Sequence, residues 1–279
     1  MQTALLSPAR PAAPGWLARA IRTLRLLPQL NAPLAYTGWL NVALAALALA
    51  LLPLDHRVVT NLAVWLKPLK FSLSIVLYSW TLTWLLADLP APAQRAVRRI
   101  GWLVLAAMLV EQAAIFTQAA RGTTSHYNAA TPLDAALFAS MGLFIAVNTG
   151  AVAWATYLAW RHRPYGPAAY VWGLRLGLLE FLVGSVLGGF MVHAGQHTVG
   201  APDGGPGLPG LGWSTVAGDL RAAHFLGMHA LQALPLLGWA LSRHLPARAA
   251  VAGTWAGAAL WAGAVAALLL GALAGRPAL

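Results

Sequence analysis

Residues 65–87 read WLKPLKFSLSIVLYSWTLTWLLA, an apolar run that is long enough to cross a bilayer and that nevertheless contains Lys67 and Lys70. A bilayer core of about 30 Å takes roughly 20 helical residues. An ionisable side chain inside it is costly unless it is paired or lines a wet cavity, so both lysines are candidate functional residues. This stretch therefore predicts a membrane-spanning helix with a polar site inside the membrane.

The composition extends this interpretation to the whole chain. Hydrophobic residues make up 59% of the 279 positions and charged residues only 9%, whereas soluble domains carry roughly 25% charged residues. The net charge is +11, but the arginines fall in short segments between apolar runs, which is typical of topology control and not of nucleic-acid binding. The absence of cysteine excludes disulfides, thiolate ligands and covalently attached c-type haem.

Six further apolar runs have the length of a membrane-spanning helix. The predicted fold class is therefore all-α, a polytopic membrane protein with a seven-transmembrane-helix bundle over residues 31–275. In the basic segment 1–30, Arg19, Arg22 and Arg25 recur every three residues, which predicts either an amphipathic helix on the cytoplasmic membrane surface or a basic tail. The predicted spans lie near residues 34–54, 65–87, 99–120, 133–160, 170–192, 222–242 and 249–272.

The distribution of Lys and Arg predicts the orientation of the bundle. Twelve of the 18 basic residues fall on the side of the N-terminus. The positive-inside rule then places the N-terminus in the cytoplasm and the C-terminus in the periplasm or extracellular space, in a bacterial-type inner (plasma) membrane. The twelve are Arg10, Arg19, Arg22, Arg25, Arg95, Arg98, Arg99, Arg161, Arg163, Arg175, Arg243 and Arg248.

Ionisable residues also lie deep inside three other predicted spans. They are Glu111, Glu180 and His229. Two lysines and two glutamates are together close to neutral, which makes buried charge tolerable. We therefore expect a polar cavity that opens outward between the second, third, fifth and sixth spans. The polar face of the second span comprises Lys67, Lys70, Ser74, Tyr78 and Thr81.

Two connections on the predicted outer side, residues 121–132 and 193–221, carry most of the remaining polar side chains. Within the second, the stretch from Gly200 to Gly212 is rich in Gly and Pro, which predicts an irregular loop. Such a loop is either a lid over the site or a flexible connector.

Histidines concentrate on the same side, which suggests a metal site. His193 and His197 are four residues apart, so they share a helix face if the fifth span extends that far. With carboxylates nearby, such histidines offer ligands for zinc or iron. The candidate metal ligands are His126, His193, His197, His224 and His229.

A b-type haem is the second possible cofactor. Membrane cytochromes of this type hold haem between histidines on facing helices, where small residues leave room for the macrocycle. Gly184, Gly188 and Gly189 lie near His193 and could provide this room, and His224 or His229 is the facing ligand in this hypothesis. The same glycines also suit close helix packing.

The first functional hypothesis is a metal- or haem-dependent membrane enzyme, an oxidoreductase or a hydrolase, that acts on a lipophilic or periplasmic substrate. Glu111 is its candidate general acid/base, with Lys70 and Glu180 in the same catalytic network. Arg121 and Arg221 are candidates for holding an anionic group. Membrane lipid and the small-molecule or lipophilic substrate are the expected partners, and nucleic acid is not.

Two alternatives remain open. In one, the chain is an outward-opening transporter or sensor in which Lys70, Glu111 and Glu180 carry protons or ligand. In the other, the buried charges form a neutral packing network in a scaffold protein. The cofactor, the substrate and the oligomeric state do not follow from the sequence.

Overall fold

Seven long helices make up most of the structure, a computed structural model that describes the backbone of residues 16–278 and the side chains of residues 24–278. Over this range, seven helices are long and apolar enough to cross a membrane, which confirms the all-helical class and is compatible with an integral membrane protein. The helices are α1 (Trp16–Leu51), α2 (Leu66–Ala87), α3 (Gln94–Arg121), α4 (Pro132–Arg161), α5 (Ala168–Ala194), α6 (Leu220–His244) and α7 (Ala247–Leu273).

The first helix is longer than the predicted span because it includes part of the basic N-terminal segment. Asn31 departs from helical geometry, with φ −154 and ψ 98, and its side chain supports the resulting kink. Its Nδ2 donates to the Val97 carbonyl at 3.1 Å, and its Oδ1 accepts from the Leu34 amide at 3.3 Å. The side chains of Arg19 and Arg22 lie outside the described residues, so the surface-helix interpretation stays a prediction.

Successive helices run in opposite directions, which gives the bundle two chemically different ends. At the loop end, α1, α3, α5 and α7 finish and the connections 52–65, 122–131 and 195–219 lie together. Two short antiparallel strand pairs order these connections: β1 (Val58–Val59) with β2 (Leu62–Ala63), and β3 (Thr198–Val199) with β4 (Gly218–Asp219). The opposite end carries arginines such as Arg98, Arg163 and Arg248 and is called the basic end. There, the Tyr165 amide donates to the Asp88 carbonyl at 2.8 Å.

The main apolar core lies between α2, α3, α4 and α5. Tyr78 of α2 stacks on Phe181 of α5 with ring centroids 5.2 Å apart, and its hydroxyl donates to Asn148 Oδ1 of α4 at 2.9 Å. This hydrogen bond satisfies two polar groups that would otherwise be costly inside the bundle. Fully buried members of the core include Leu82, Leu86, Ile100, Val104, Leu174 and Leu178.

Glycines allow α5 and α6 to pack backbone against backbone. A Cβ atom added to Gly184 would lie 2.7 Å from the Met228 amide nitrogen, and one added to Gly227 would lie 2.8 Å from the Gly184 Cα atom. Real Cβ atoms do not approach backbone so closely, so both positions need glycine at this helix separation. The sequence prediction that Gly184 belongs to a small-residue packing ridge agrees with this contact.

We expect Gly184→Ala to lower the free energy of unfolding by about 1–3 kcal/mol, because the added methyl group forces the two helices apart. Gly189→Ala is the matched control, since it adds the same methyl group to α5 where no atom lies within 4 Å. Thermal unfolding in detergent measures both effects. Equal melting temperatures for the two variants would contradict the close α5–α6 contact.

Candidate functional site at the loop end

A chain of three ionisable side chains lies at the loop end. Lys67 belongs to the first turn of α2, Glu111 lies deeper along α3, and His126 of the connection 122–131 lies between them. Lys67 Nζ is 3.2 Å from His126 Nδ1, and His126 Nε2 is 3.8 Å from Glu111 Oε1. Because an ammonium group only donates, Nδ1 accepts, and the neutral imidazole carries its hydrogen on Nε2, facing the carboxylate.

The Glu111 carboxylate is the most enclosed member of this chain. Its residue is 3% exposed, and its Oε2 atom has no hydrogen-bond partner among the described residues. A buried carboxylate oxygen without a partner is costly. This atom is therefore the point in the site at which a proton, a water or a ligand donor would be stabilising.

Aromatic rings surround His126 and keep the site apolar. The centroid of its ring lies 5.7 Å from that of Phe71, 6.0 Å from that of Tyr127 and 6.4 Å from that of Phe138. Burial, reinforced by the positive charge of Lys67, lowers the pKa of His126 well below its ordinary value. His126 is therefore a neutral imidazole near pH 7 and can pass a proton from one ring nitrogen to the other.

A second histidine, His197, lies beside this site. The His197 side chain is 21% exposed, and its ring lies 4.9 Å from the ring of Tyr127, centroid to centroid. His197 Nδ1 lies 2.7 Å from Asp203 Oδ2. Burial raises the pKa of the Asp203 carboxyl, but hydrogen bonds from His197 and Thr198 outweigh it and hold that pKa below its ordinary range. Asp203 is therefore a fixed negative charge beside His197.

The connection 195–219 is tied to the bundle by cationic side chains. Lys70 Nζ donates to the Leu211 carbonyl at 2.9 Å, and Arg221 Nη2 donates to the Gly212 carbonyl at 2.6 Å. Inside the loop, the Asp203 carboxylate accepts from the backbone amides of His197 and Thr198. These contacts favour the expected lid over the flexible connector. Lys70 thus holds the loop, and Lys67 is the lysine that contacts His126.

The two arginines expected to hold an anionic group are each paired with an aspartate. Arg121 donates to the buried Asp134 and to Gln118. Arg221 donates to Asp219 from Nε at 2.9 Å and from Nη2 at 2.6 Å. Both guanidinium groups are thus neutralised within the protein, which leaves the anion-binding role without support.

The structure brings together only part of the expected charge cluster. Glu111 joins Lys67 through His126, whereas Glu180 is only partly buried and has no ion-pair or hydrogen-bond partner in the described chain. The polar side chains of α2 likewise contact different helices. Tyr78 donates to Asn148 of α4, and Thr81 accepts from a side chain of α6. The expectation of one shared cavity is therefore corrected to separate contacts with different helices.

The histidines predicted as metal ligands do not form a metal centre. His193 is exposed, His197 is bonded to Asp203, and His229 packs edge-on against Phe225 with ring centroids 4.1 Å apart. Over residues 24–278, no three His, Asp or Glu side chains come together as a metal site. The zinc and iron hypotheses accordingly find no support in the arrangement of these histidines. The same holds for His126, the remaining ligand candidate at the loop end.

Haem also does not fit between α5 and α6. Gly184 is packed against the α6 backbone, and a Cβ atom on Gly188 would lie 3.1 Å from the His224 ring. The space that these glycines were expected to leave for a macrocycle is filled by the neighbouring helix. His224 Nδ1 lies 2.7 Å from the Gly184 carbonyl oxygen, so one of its two ring nitrogens already has a partner.

Sequence reasoning ranks one residue of the site wrongly and misses two. It marks both Lys67 and Lys70 as candidates but gives the catalytic role to Lys70, because helical spacing does not show which lysine contacts His126. Tyr127 and Asp203 were not singled out, because aromatic and acidic loop residues are usually ordinary surface groups. The single acidic residue between Gly200 and Gly212 was nevertheless a usable signal, since it is the only group there that can bind several backbone amides.

No protein-family model, curated protein or solved structure matches this chain.

Acidification should destabilise the wild-type protein more than a His126→Gln variant. The native pKa of His126 is depressed, so below about pH 6.5 the unfolded chain binds more protons than the folded one and stability falls as pH falls. We expect a smaller drop in melting temperature between about pH 7.5 and pH 5.5 in the variant.

His244→Gln is the control, because it removes an exposed histidine at the basic end and should keep the full drop. Melting temperatures measured in the same detergent at both pH values provide the comparison. An unchanged drop in the His126→Gln variant would show that His126 is not a half-buried neutral imidazole with a depressed pKa.

Proposed function

We propose that this chain is a multi-pass membrane protein that binds a proton reversibly through Lys67, His126 and Glu111, and that it works as a proton-responsive sensor. The observation that carries the proposal is the imidazole of His126, which lies between an ammonium group at 3.2 Å and a carboxylate at 3.8 Å. Such an imidazole can accept a proton at Nδ1 and release one at Nε2.

The charges of the three groups define two states. With Lys67 cationic and Glu111 anionic, the site is neutral and its buried charges compensate each other. If Lys67 gives a proton to His126 Nδ1 and the Nε2 proton passes to Glu111 Oε1, the site stays neutral but contains no ion. Reprotonation of Lys67 from the loop end then leaves a net charge of +1, with Glu111 protonated.

The state with Glu111 protonated would change the electrostatic interactions at the loop end. Lys67 would lose its counter-charge, and like-charge repulsion with Lys70, one turn away on α2, would no longer be offset. Lys70 holds the connection 195–219 through the Leu211 carbonyl. Proton uptake at Glu111 is therefore coupled to the position of this loop, and a change in the position of the loop is the output of the sensor.

Sensing is favoured over transport because the relay ends at Glu111. Nearer the basic end, Tyr78 is paired with Asn148 and Tyr170 with Asp88, and neither pair contacts Glu111. A transporter with alternating access would need polar groups that connect the site with both sides of the membrane. A metalloenzyme would need a ligand cluster, and the histidines at this end do not provide one.

Infrared spectroscopy of the purified protein tests the proposal. All seven side-chain carboxyls of the chain contribute protonated C=O stretching bands as the pH is lowered. We therefore expect the wild-type spectrum minus the Glu111→Gln spectrum to show a pH-dependent band that belongs to Glu111. Glu180→Gln is the control, since that carboxyl has no described contact with His126 or either lysine, and it should leave the Glu111 band in place. A wild-type minus Glu111→Gln difference spectrum without a pH-dependent carboxyl band would overturn the proposal.

We also propose that the loop end faces the periplasm or exterior and the basic end the cytoplasm, as the arginine distribution predicts. Because the chain has no cysteine, single introduced cysteines can be labelled selectively. Thr215→Cys and Ala247→Cys place exposed thiols at the loop end and the basic end, respectively. We expect a membrane-impermeant thiol reagent to label only Thr215→Cys in intact cells, and the reverse pattern would invert the orientation.

A further inference from the structure

We infer that the basic end contains a binding site for the phosphate group of an anionic membrane lipid. The site is a cleft of about 220 Å³ at the connection between α4 and α5. It is independent of the proton site at the loop end. Its lining consists of Arg163, Ala168, Val171, Trp172 and Arg175.

Arg175 is held in a fixed position at this cleft. Its guanidinium carbon lies 5.4 Å from the ring centroids of both Trp160 and Trp172, and its Nε donates to the Ala159 carbonyl at 2.9 Å. Cation–π contact on two rings orients the planar group. Its terminal nitrogens have no hydrogen-bond partner among the described residues, so they remain available as paired donors for phosphate oxygens.

The charge balance at the cleft distinguishes it from the loop end. Arg57, Arg121 and Arg221 at the loop end each form an ion pair with an aspartate. Over residues 24–278, neither Arg163 nor Arg175 has an acidic partner within ion-pair distance. Two cations that share a cleft without a counter-ion repel each other, and an anion between them relieves this repulsion.

The surroundings favour a lipid over soluble phosphate. Trp172 packs against Trp160 and Trp255 with ring centroids 5.8 and 4.9 Å apart, which forms a tryptophan cluster at the helix ends. Tryptophan is enriched at the level of lipid headgroups, and basic pockets between membrane helices bind anionic headgroups. A phosphate held by Arg175 therefore leaves acyl chains free to lie along the apolar surface of α4 and α5.

Native mass spectrometry of the detergent-purified full-length protein tests this inference. We expect retention of phosphatidylglycerol in preference to phosphatidylcholine, and a loss of roughly tenfold in apparent affinity for phosphatidylglycerol in Arg175→Gln, as expected for one charge-assisted phosphate contact. Arg163→Gln changes an exposed residue and should weaken binding without affecting folding. Arg248→Gln is the matched control, because it removes an exposed arginine of the same end that does not line the cleft.

The outcomes discriminate between specific and general attraction. Retention of phosphatidylglycerol by Arg248→Gln, with loss in Arg163→Gln and Arg175→Gln, would support the site. Equal losses of phosphatidylglycerol in all three variants would mean that binding follows the net charge of the protein, which would overturn the proposed site. Displacement of the lipid by millimolar inorganic phosphate would assign the cleft to soluble phosphate and overturn the lipid assignment, whereas resistance to phosphate would support it.

Discussion

The half-buried ammonium group of Lys67 is the constraint on which the loop end depends. An uncompensated charge at this depth would cost several kcal/mol, and the structure compensates it with His126 and Glu111. To bring His126 into contact, the connection 122–131 must fold inward over the bundle, which in turn packs Tyr127 against His197. The position of one lysine in the first turn of α2 thus determines how two connections cover the helices.

Cationic side chains have different partners at the two ends of the bundle. At the loop end, Arg221 is paired with Asp219, and Lys70 donates to the Leu211 carbonyl. At the basic end, Arg175 lies between tryptophan rings and has no acidic partner among the described residues. The first arrangement stabilises a compact loop structure from within, and the second leaves positive charge available to molecules outside the chain.

The sequence predicted the helices well, because the length of an apolar run is a direct consequence of bilayer thickness. It also singled out Glu111 as a candidate general acid/base and His126 as a candidate metal ligand, since an ionisable group in an apolar run or among clustered histidines is conspicuous, and these roles stay predictions. It did not distinguish Lys67 from Lys70, because helical spacing gives a shared face but not the tertiary contact that each side chain makes. The metal hypothesis around His193 failed to find support for the same reason.

A double-mutant cycle on Lys67→Met and Glu111→Gln tests most directly whether these two charges compensate each other. Each single variant leaves either the buried Glu111 or the half-buried Lys67 without its counter-charge, so we expect each to lower the melting temperature in detergent. The double variant removes both charges and should recover stability, with a coupling free energy of at least about 1 kcal/mol. Strictly additive losses would contradict the account, because they would mean that Lys67 and Glu111 do not interact through His126.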